Sequence, residues 1–314
     1  MSGAVAAPEV NGRSVLVTGV GGLVGRSLLS RLAGSGARIT TMGRSARREI
    51  PGHAIVVDRW RADEIRSATK GLAFDYVFHL AAYGVDPKAR DIAEMVEVNV
   101  GASLALVETA TATRAYVHVG SCSEYAPRTD GQNLRESDPV ETGKLYGSTK
   151  AAATIASCAI ATARDLPFVA ARLFIVYGQG EAPHRLLPSL AARLKRGERV
   201  PLSPGTQVRD FLAVDDAADG LLALADATGA NGGQSIVNLC SGVATSVRLF
   251  AETACHAVGA SPDLLAFGEL AFRPDDLMHQ VGDTSGLHQM VTWRPSRSLA
   301  DGIGFALAQK GGAT

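Results

Sequence analysis

The sequence predicts an α/β protein built on a doubly wound parallel sheet, followed by a smaller, mostly helical C-terminal part. Three observations predict this: short β-rich runs alternate with longer helix-like ones from Ser14, a glycine-rich turn follows the first run, and the rhythm loosens after Gly178. At 314 residues, 46% of them hydrophobic, the chain can bury a sizeable core and is neither disordered nor fibrous.

The β-rich runs are Ser14–Thr18, Arg38–Met42, Ala54–Val57, Tyr76–Leu80, Tyr116–Val119 and Phe168–Leu173. Spacers of helical length between them imply parallel crossovers. Between the fourth and fifth runs, Ile92, Met95, Val96, Val100, Leu104 and Val107 recur near helical spacing, so one helix is expected over Asp91–Thr113 with a mild break at Gly101. After Gly178, Pro183, Pro188, Pro201 and Pro204 interrupt the pattern, and helical stretches such as Leu186–Arg196 and Ala217–Ala227 dominate. The expected division is a flexible tail over 1–12, a first unit over 13–174 and a second lobe over 175–314. Segments around 209–222 and 235–243 are expected to return to the first unit.

Thirty-one basic residues balance thirty-one acidic ones, so no global field draws the chain to nucleic acid or an anionic membrane. An anionic ligand must be held by local arginines. The four cysteines form no Cys-x-x-Cys pair and the seven histidines lack metal spacing, so no metal is expected. The N-terminal residues lack a signal-peptide pattern and no apolar run reaches the ~20 residues that cross a bilayer, which fits a cytoplasmic protein.

Gly19-Val-Gly-Gly22-Leu23-Val24-Gly25 follows the first strand and opens the helix-like run Leu23–Leu32. Three glycines at this spacing arise by chance in roughly one such chain in three, so the strand before and the helix after carry the argument. There the glycines turn the chain tightly and bring backbone N–H groups at a helix N-terminus against a pyrophosphate, with Leu23 and Val24 beside it. The first unit is thus expected to be a Rossmann-type dinucleotide-binding domain. NAD is usually held by an acidic residue at the end of the second strand; here the sequence reads Met42-Gly-Arg44-Ser-Ala-Arg47-Arg48. Arg44 and its neighbours suit a 2′-phosphate, favouring NADP(H) with NAD(H) as the alternative. Asp58, after the third run, is a candidate contact to the adenine amino group.

Tyr146-Gly-Ser-Thr-Lys150 opens another helix-like run, and residues four apart share a helix face. A Tyr-x-x-x-Lys match occurs by chance in about one such chain in ten, so this spacing says more than the glycines do. With an ordinary pKa of about 10, a tyrosine moves protons near neutrality only when a cation stabilises its phenolate, which Lys150 and a nicotinamide could supply. Hydroxyls to hold the reacting oxygen lie at the end of the fifth run, in Gly120-Ser121-Cys122-Ser123-Glu124. Ser121 is the first candidate and Ser123 the second, since one residue of shift would exchange them.

Together these residues resemble the extended short-chain dehydrogenase/reductase family, which includes nucleotide-sugar epimerases, dehydratases and 4-ketoreductases. The resemblance spans nearly the whole chain: the glycine turn, His79-Leu80-Ala81-Ala82, Asn99, the Ser121 segment, Tyr146 and Lys150, Arg172-Leu-Phe-Ile175-Val-Tyr-Gly178, Arg209-Asp-Phe and Trp293-Arg-Pro295 fall in the family's order. It implies that Leu80, Ala81, Ala82 and Asn99 adjoin the cofactor, Tyr146 is the acid/base, Lys150 binds the ribose, and Ser121 orients the reacting oxygen. It further implies that Arg209 and Arg273 hold the substrate's diphosphate, and that a homodimer forms through the Asp91–Thr113 helix and the helix opening at Tyr146. One departure stands out. Ile175 occupies a position where many members carry asparagine; His184 and Arg185, in the loop after Gly180, offer compensating contacts to substrate.

The leading expectation is an NADPH-dependent reductase of a nucleoside-diphosphate-linked 4-keto-6-deoxy sugar. An NAD-retaining 4-epimerase is the alternative, and a dehydratase the third reading, kept open by Glu124 although Cys122 and Ser123 stand where two carboxyl groups are wanted. A cofactor-sensing protein without catalysis is the non-enzyme reading, opposed by the intact Ser121, Tyr146 and Lys150.

Overall fold

The computed structural model describes residues 10–45, 52–86 and 88–308. In chain order the strands are β1 (Ser14–Thr18), β2 (Arg38–Gly43), β3 (His53–Val56), β4 (Ala73–His79), β5 (Thr111–Ser121), β6 (Phe168–Leu173), β7 (Ile175–Tyr177), β8 (Val200–Leu202), β9 (Val208–Ala213), β10 (Gln234–Leu239), β11 (Ala244–Ser246), β12 (Leu265–Phe267) and β13 (His279–Gln280). The helices are α1 (Leu23–Ala33), α2 (Ala62–Thr69), α3 (Ile92–Val96), α4 (Ala102–Thr109), α5 (Leu145–Ala163), α6 (Leu186–Lys195), α7 (Val214–Asn231), α8 (Val247–Ala257), α9 (Ser285–Met290) and α10 (Leu299–Leu307).

Among the described residues the main sheet runs β3-β2-β1-β4-β5-β6-β10, and every pairing in it is parallel. Parallel strands covered on both faces read as continuous apolar runs, and β1 illustrates why. Val15 and Val17 enter a core with Leu28 and Leu32 of α1 and Ala217 and Leu221 of α7, while Leu16 enters the opposite core with Ile65 of α2 and Leu106 of α4. Strand order reverses between β1 and β4, which opens a crevice at their carboxyl ends.

The structure differs from expectation at four points. The predicted Asp91–Thr113 helix begins with an Asp91 cap, which accepts from Glu94 N at 2.8 Å, and stops at Thr109. Thr111 already pairs with Ala73, because sheet pairing wins over helix extension in a Thr-rich segment, and β5 is therefore much longer than Tyr116–Val119. The break at Gly101 is a π-turn over Glu97–Gly101 joining α3 to α4. Packing also starts before residue 13: Val10 is buried in the core and Gly12 N donates to Gly36 O at 3.0 Å.

In the C-terminal part helices outweigh strands, and the short strands gather around β9, which pairs with β7, β11 and β13, with a separate β8–β12 pair.

Candidate active site

A cleft of about 900 Å³ lies at the carboxyl ends of β1, β4, β5 and β6 and is walled on its far side by the loop 178–185 and Gln280. It brings together Gly19, Gly22, Leu23, Val24, Gly25, Leu80, Ala82, Ser121, Ser123, Tyr146, Lys150 and Arg185, twelve residues singled out from sequence.

The glycine turn has the shape a dinucleotide needs. Gly19 adopts φ +69°, and a Cβ there would stand 2.6 Å from the Leu80 carbonyl carbon and 2.7 Å from Ala81 N. A Cβ on Gly25 would stand 2.9 Å from Val20 Cα, so α1 can pack this close to the turn only with glycine there. Gly22 caps α1 without a side chain, leaving the first N–H groups of the helix open to an anion. Thr18 Oγ1 accepts from Leu80 N and Ala81 N, both at 3.1 Å, and fastens the turn after β1 to the end of β4.

The remaining cofactor candidates lie outside this lining. Ala81 is behind it, fixed by Thr18. Asn99 is fully buried in the π-turn, where its amide accepts from Tyr83 N at 2.8 Å and donates to Tyr83 O and Thr149 Oγ1, so it shapes the segment after β4. Arg44 is exposed just beyond β2; Arg47 and Arg48 lie outside the described residues. Asp58 is exposed and lines a separate hollow of about 400 Å³ with Val57, Asp63 and Glu64.

At the reacting end, α5 carries Tyr146 and Lys150 against β5. Gly147 permits the contact, since a Cβ there would run into the Ser123 carbonyl and come within 2.9 Å of Glu141 Cγ. Lys150 is 3% exposed and donates to Val119 O at 2.8 Å; burial pulls its ammonium below the ordinary lysine range, with Glu124 opposing. Burial raises the Tyr146 phenol to about 12, with Cys122 and Glu124 adding to the rise and a hydrogen bond with Ser121 and the charge of Arg185 working against it. The phenol is therefore fully protonated at neutral pH. Ser121 ends β5 in extended conformation, and its Oγ accepts from Ser123 N at 3.1 Å.

Glu124 does not reach the cleft. It is fully buried, accepts from Arg172 Nε and Ser121 N at 2.9 Å each and from Thr154 Oγ1 at 3.0 Å, and so holds the end of β5 to β6 and α5. Arg209 is also engaged elsewhere: its guanidinium bonds the Leu277 carbonyl and pairs with Asp276 at 3.4 Å. Arg273 is exposed and off the cleft. Ile175 lines it, as do His184 and Arg185.

Sequence reading passed over Arg26, Arg90 and Glu181, which also line the cleft. Arg26, in the first turn of α1, donates to Gly180 O at 2.6 Å across 154 positions of chain, a contact no local pattern announces. His79 is an interior strand residue, bonded to Thr18 Oγ1 and Ser103 Oγ at 2.8 Å each. Burial raises Cys122 to about 12, which leaves it a thiol.

Comparison with known proteins agrees with this geometry. The chain is 29% identical over 312 residues to dTDP-6-deoxy-L-talose 4-dehydrogenase (NAD(P)(+)) of Kitasatospora kifunensis, covering 95% of each chain. It is 28% identical over 307 residues to UDP-glucose 4-epimerase of Mycolicibacterium smegmatis, covering 92% of this chain and 95% of that one. Its structure is similar to that of MoeE5 in complex with UDP-glucose and NAD, with a TM-score of 0.79, 28% identity, and coverage of 93% and 97%. The NAD dependent epimerase/dehydratase family model matches residues 15–240. The chain belongs to that NAD dependent epimerase/dehydratase family, the extended short-chain dehydrogenase/reductase type that its motifs resemble.

Proposed function

We propose that the protein is an NADP(H)-dependent oxidoreductase that reduces C4 of a nucleoside-diphosphate-linked 4-keto-6-deoxy sugar, with Tyr146 as the proton donor. The observation that carries this reading is the placement of the Tyr146 phenol and the Ser121 hydroxyl together in the cleft that also holds the glycine turn. A nicotinamide cofactor held at the glycine turn would supply hydride chemistry at C4. Tyr146 gives its proton to the carbonyl oxygen as that oxygen becomes a hydroxyl, and Ser121 donates a hydrogen bond to the same atom. Lys150, one helical turn beyond Tyr146 on α5, is held by Val119 O, and its remaining protons suit a ribose hydroxyl.

Nothing acidic lies in Met42–Ser45 and Arg44 is exposed, which supports a 2′-phosphate and therefore a cofactor exchanged each turnover. The 4-dehydrogenase relative, named for NAD(P)(+), supports the same chemistry in reverse. Dehydration wants a free carboxyl group beside Ser121, and Glu124 is committed to Arg172. For the substrate's diphosphate, Arg90 is more accessible than Arg209, which Asp276 would have to release.

A homodimer belongs to the same proposal. Ile92 and Val96 on α3, 66% and 45% exposed, adjoin α5, whose Ile155 is 50% exposed, and a second copy would cover these three in a four-helix arrangement.

Tyr146→Phe tests the central role. Cofactor affinity should stay within about twofold while turnover falls by roughly 10²–10⁴; a variant with wild-type turnover rejects Tyr146 as the donor.

A further inference from the structure

The loop 178–185 carries a carboxylate that the proposed reaction does not use. The Glu181 side chain is 7% exposed on the wall of the cleft, and its Oε2 is buried without a hydrogen-bond partner among the described residues. Its Oε1 accepts from Arg185 Nε at 3.3 Å. Most buried polar atoms in folded proteins are paired, and this unpaired oxygen belongs to a carboxylate that lines a ligand cleft, where a hydroxyl arriving with the ligand is an available donor.

The loop cannot easily turn Glu181 out to water. Arg26 donates to Gly180 O at 2.6 Å, and Glu181 N donates to Gly178 O at 3.2 Å. Gly180 itself has φ +84°, a left-handed backbone that favours glycine, and a Cβ there would stand 3.0 Å from Arg26 Nη2. Burial raises the Glu181 carboxyl and Arg185 opposes the rise. Arg185 is also among the charges that act on the Tyr146 phenol, so the pair lies toward the reacting end of the cleft.

A phosphate would meet repulsion from Glu181. Adjacent sugar hydroxyls would not: each both donates and accepts, so two neighbours on a ring can give protons to the carboxylate and accept from the guanidinium together. We infer that Glu181 and Arg185 form a subsite that reads two neighbouring hydroxyl groups of the hexose and selects a substrate that keeps both. The inference rests on the nucleotide-sugar reading above, and it gives Arg185 to the sugar instead of the diphosphate.

Calorimetric titration of the cofactor-loaded protein separates the two. The probes are dTDP-glucose and UDP-glucose, their 2-deoxy and 3-deoxy analogues, and bare dTDP and UDP. Wild type should bind the parent sugar roughly 10- to 100-fold more tightly than at least one deoxy analogue, as expected for a hydroxyl bonded to charged groups. Glu181→Gln, close in shape, should shrink that ratio below about threefold and leave the affinity for bare nucleotide intact. Arg185→Lys, which keeps the charge and loses the fork, should do the same. Full discrimination in both variants overturns the subsite, as does an equal loss of affinity for bare nucleotide or for cofactor. A wild type that binds nucleotide sugars but ignores deoxygenation also sinks the subsite and spares the function; one that binds neither sugar sinks both.

Discussion

Replacing Glu124 with glutamine distinguishes a structural carboxylate from a catalytic one. Glu124 takes hydrogen bonds from Arg172 Nε at 2.9 Å, Ser121 N at 2.9 Å and Thr154 Oγ1 at 3.0 Å, and neither it nor Arg172 meets solvent to any useful extent, at 0% and 2% side-chain exposure. A glutamine amide offers one acceptor oxygen where the carboxylate offered two, so its NH2 must face at least one of these donors, and the Arg172 charge loses its counter-ion. Breaking a buried pair by removing one partner costs about 3–5 kcal/mol. In a chain of this size that lowers the melting temperature by on the order of 10 °C. Scanning calorimetry of Glu124→Gln, Arg172→Met and the double variant checks this, with the double expected to cost less than the sum of the singles because each loss already includes the unpaired partner. A Glu124→Gln protein that melts within about 2 °C of wild type but loses turnover would refute the structural role and restore Glu124 as a catalytic acid.

Three further outcomes follow from the same structure. Arg44→Ala should weaken NADPH binding by roughly 10- to 100-fold and NADH binding little, because only the former carries the phosphate that a guanidinium would hold; equal effects on both would remove Arg44 from the cofactor site. Stability should fall in acid: burial, aided by the charge of Lys150, pulls His79 down to about 3 from 6.5, so the unfolded chain takes up this proton first. That contribution is complete above pH ~6.5 and is lost at about 1.4 kcal/mol per unit below it, roughly 2 kcal/mol by pH 5. Urea unfolding at pH 7 and pH 5 should show His79→Gln losing less over this interval than wild type, and an identical loss would contradict it. Ile155→Glu should convert the proposed dimer to monomer by sedimentation; a wild type already monomeric at micromolar concentration rejects the dimer.

How much of this was legible in sequence depends on how local the cause was. β1 and β6 could be read to the residue because strands buried on both faces are continuous apolar runs. The first half of β5, Thr111–Arg114, could not, since it carries no such run and is a strand only through pairing with β4. The π-turn left only Gly101 as a hint, and three-residue strands such as β7 exist through distant partners in β9. In the cleft, Tyr146, Lys150 and the glycines were visible because fixed local spacing serves their geometry. The fate of Arg209 was not, because Asp276 lies 67 positions away, and neither was Glu181, whose interest arises from a missing partner rather than a pattern.

The most direct measurement is the fate of NADPH when purified protein meets a dTDP- or UDP-linked 4-keto-6-deoxyhexose. The account predicts consumption of NADPH in step with appearance of the 4-hydroxy sugar, and no turnover by Tyr146→Phe. Protein that retains stoichiometric NAD, consumes no NADPH and interconverts 4-epimers would contradict it.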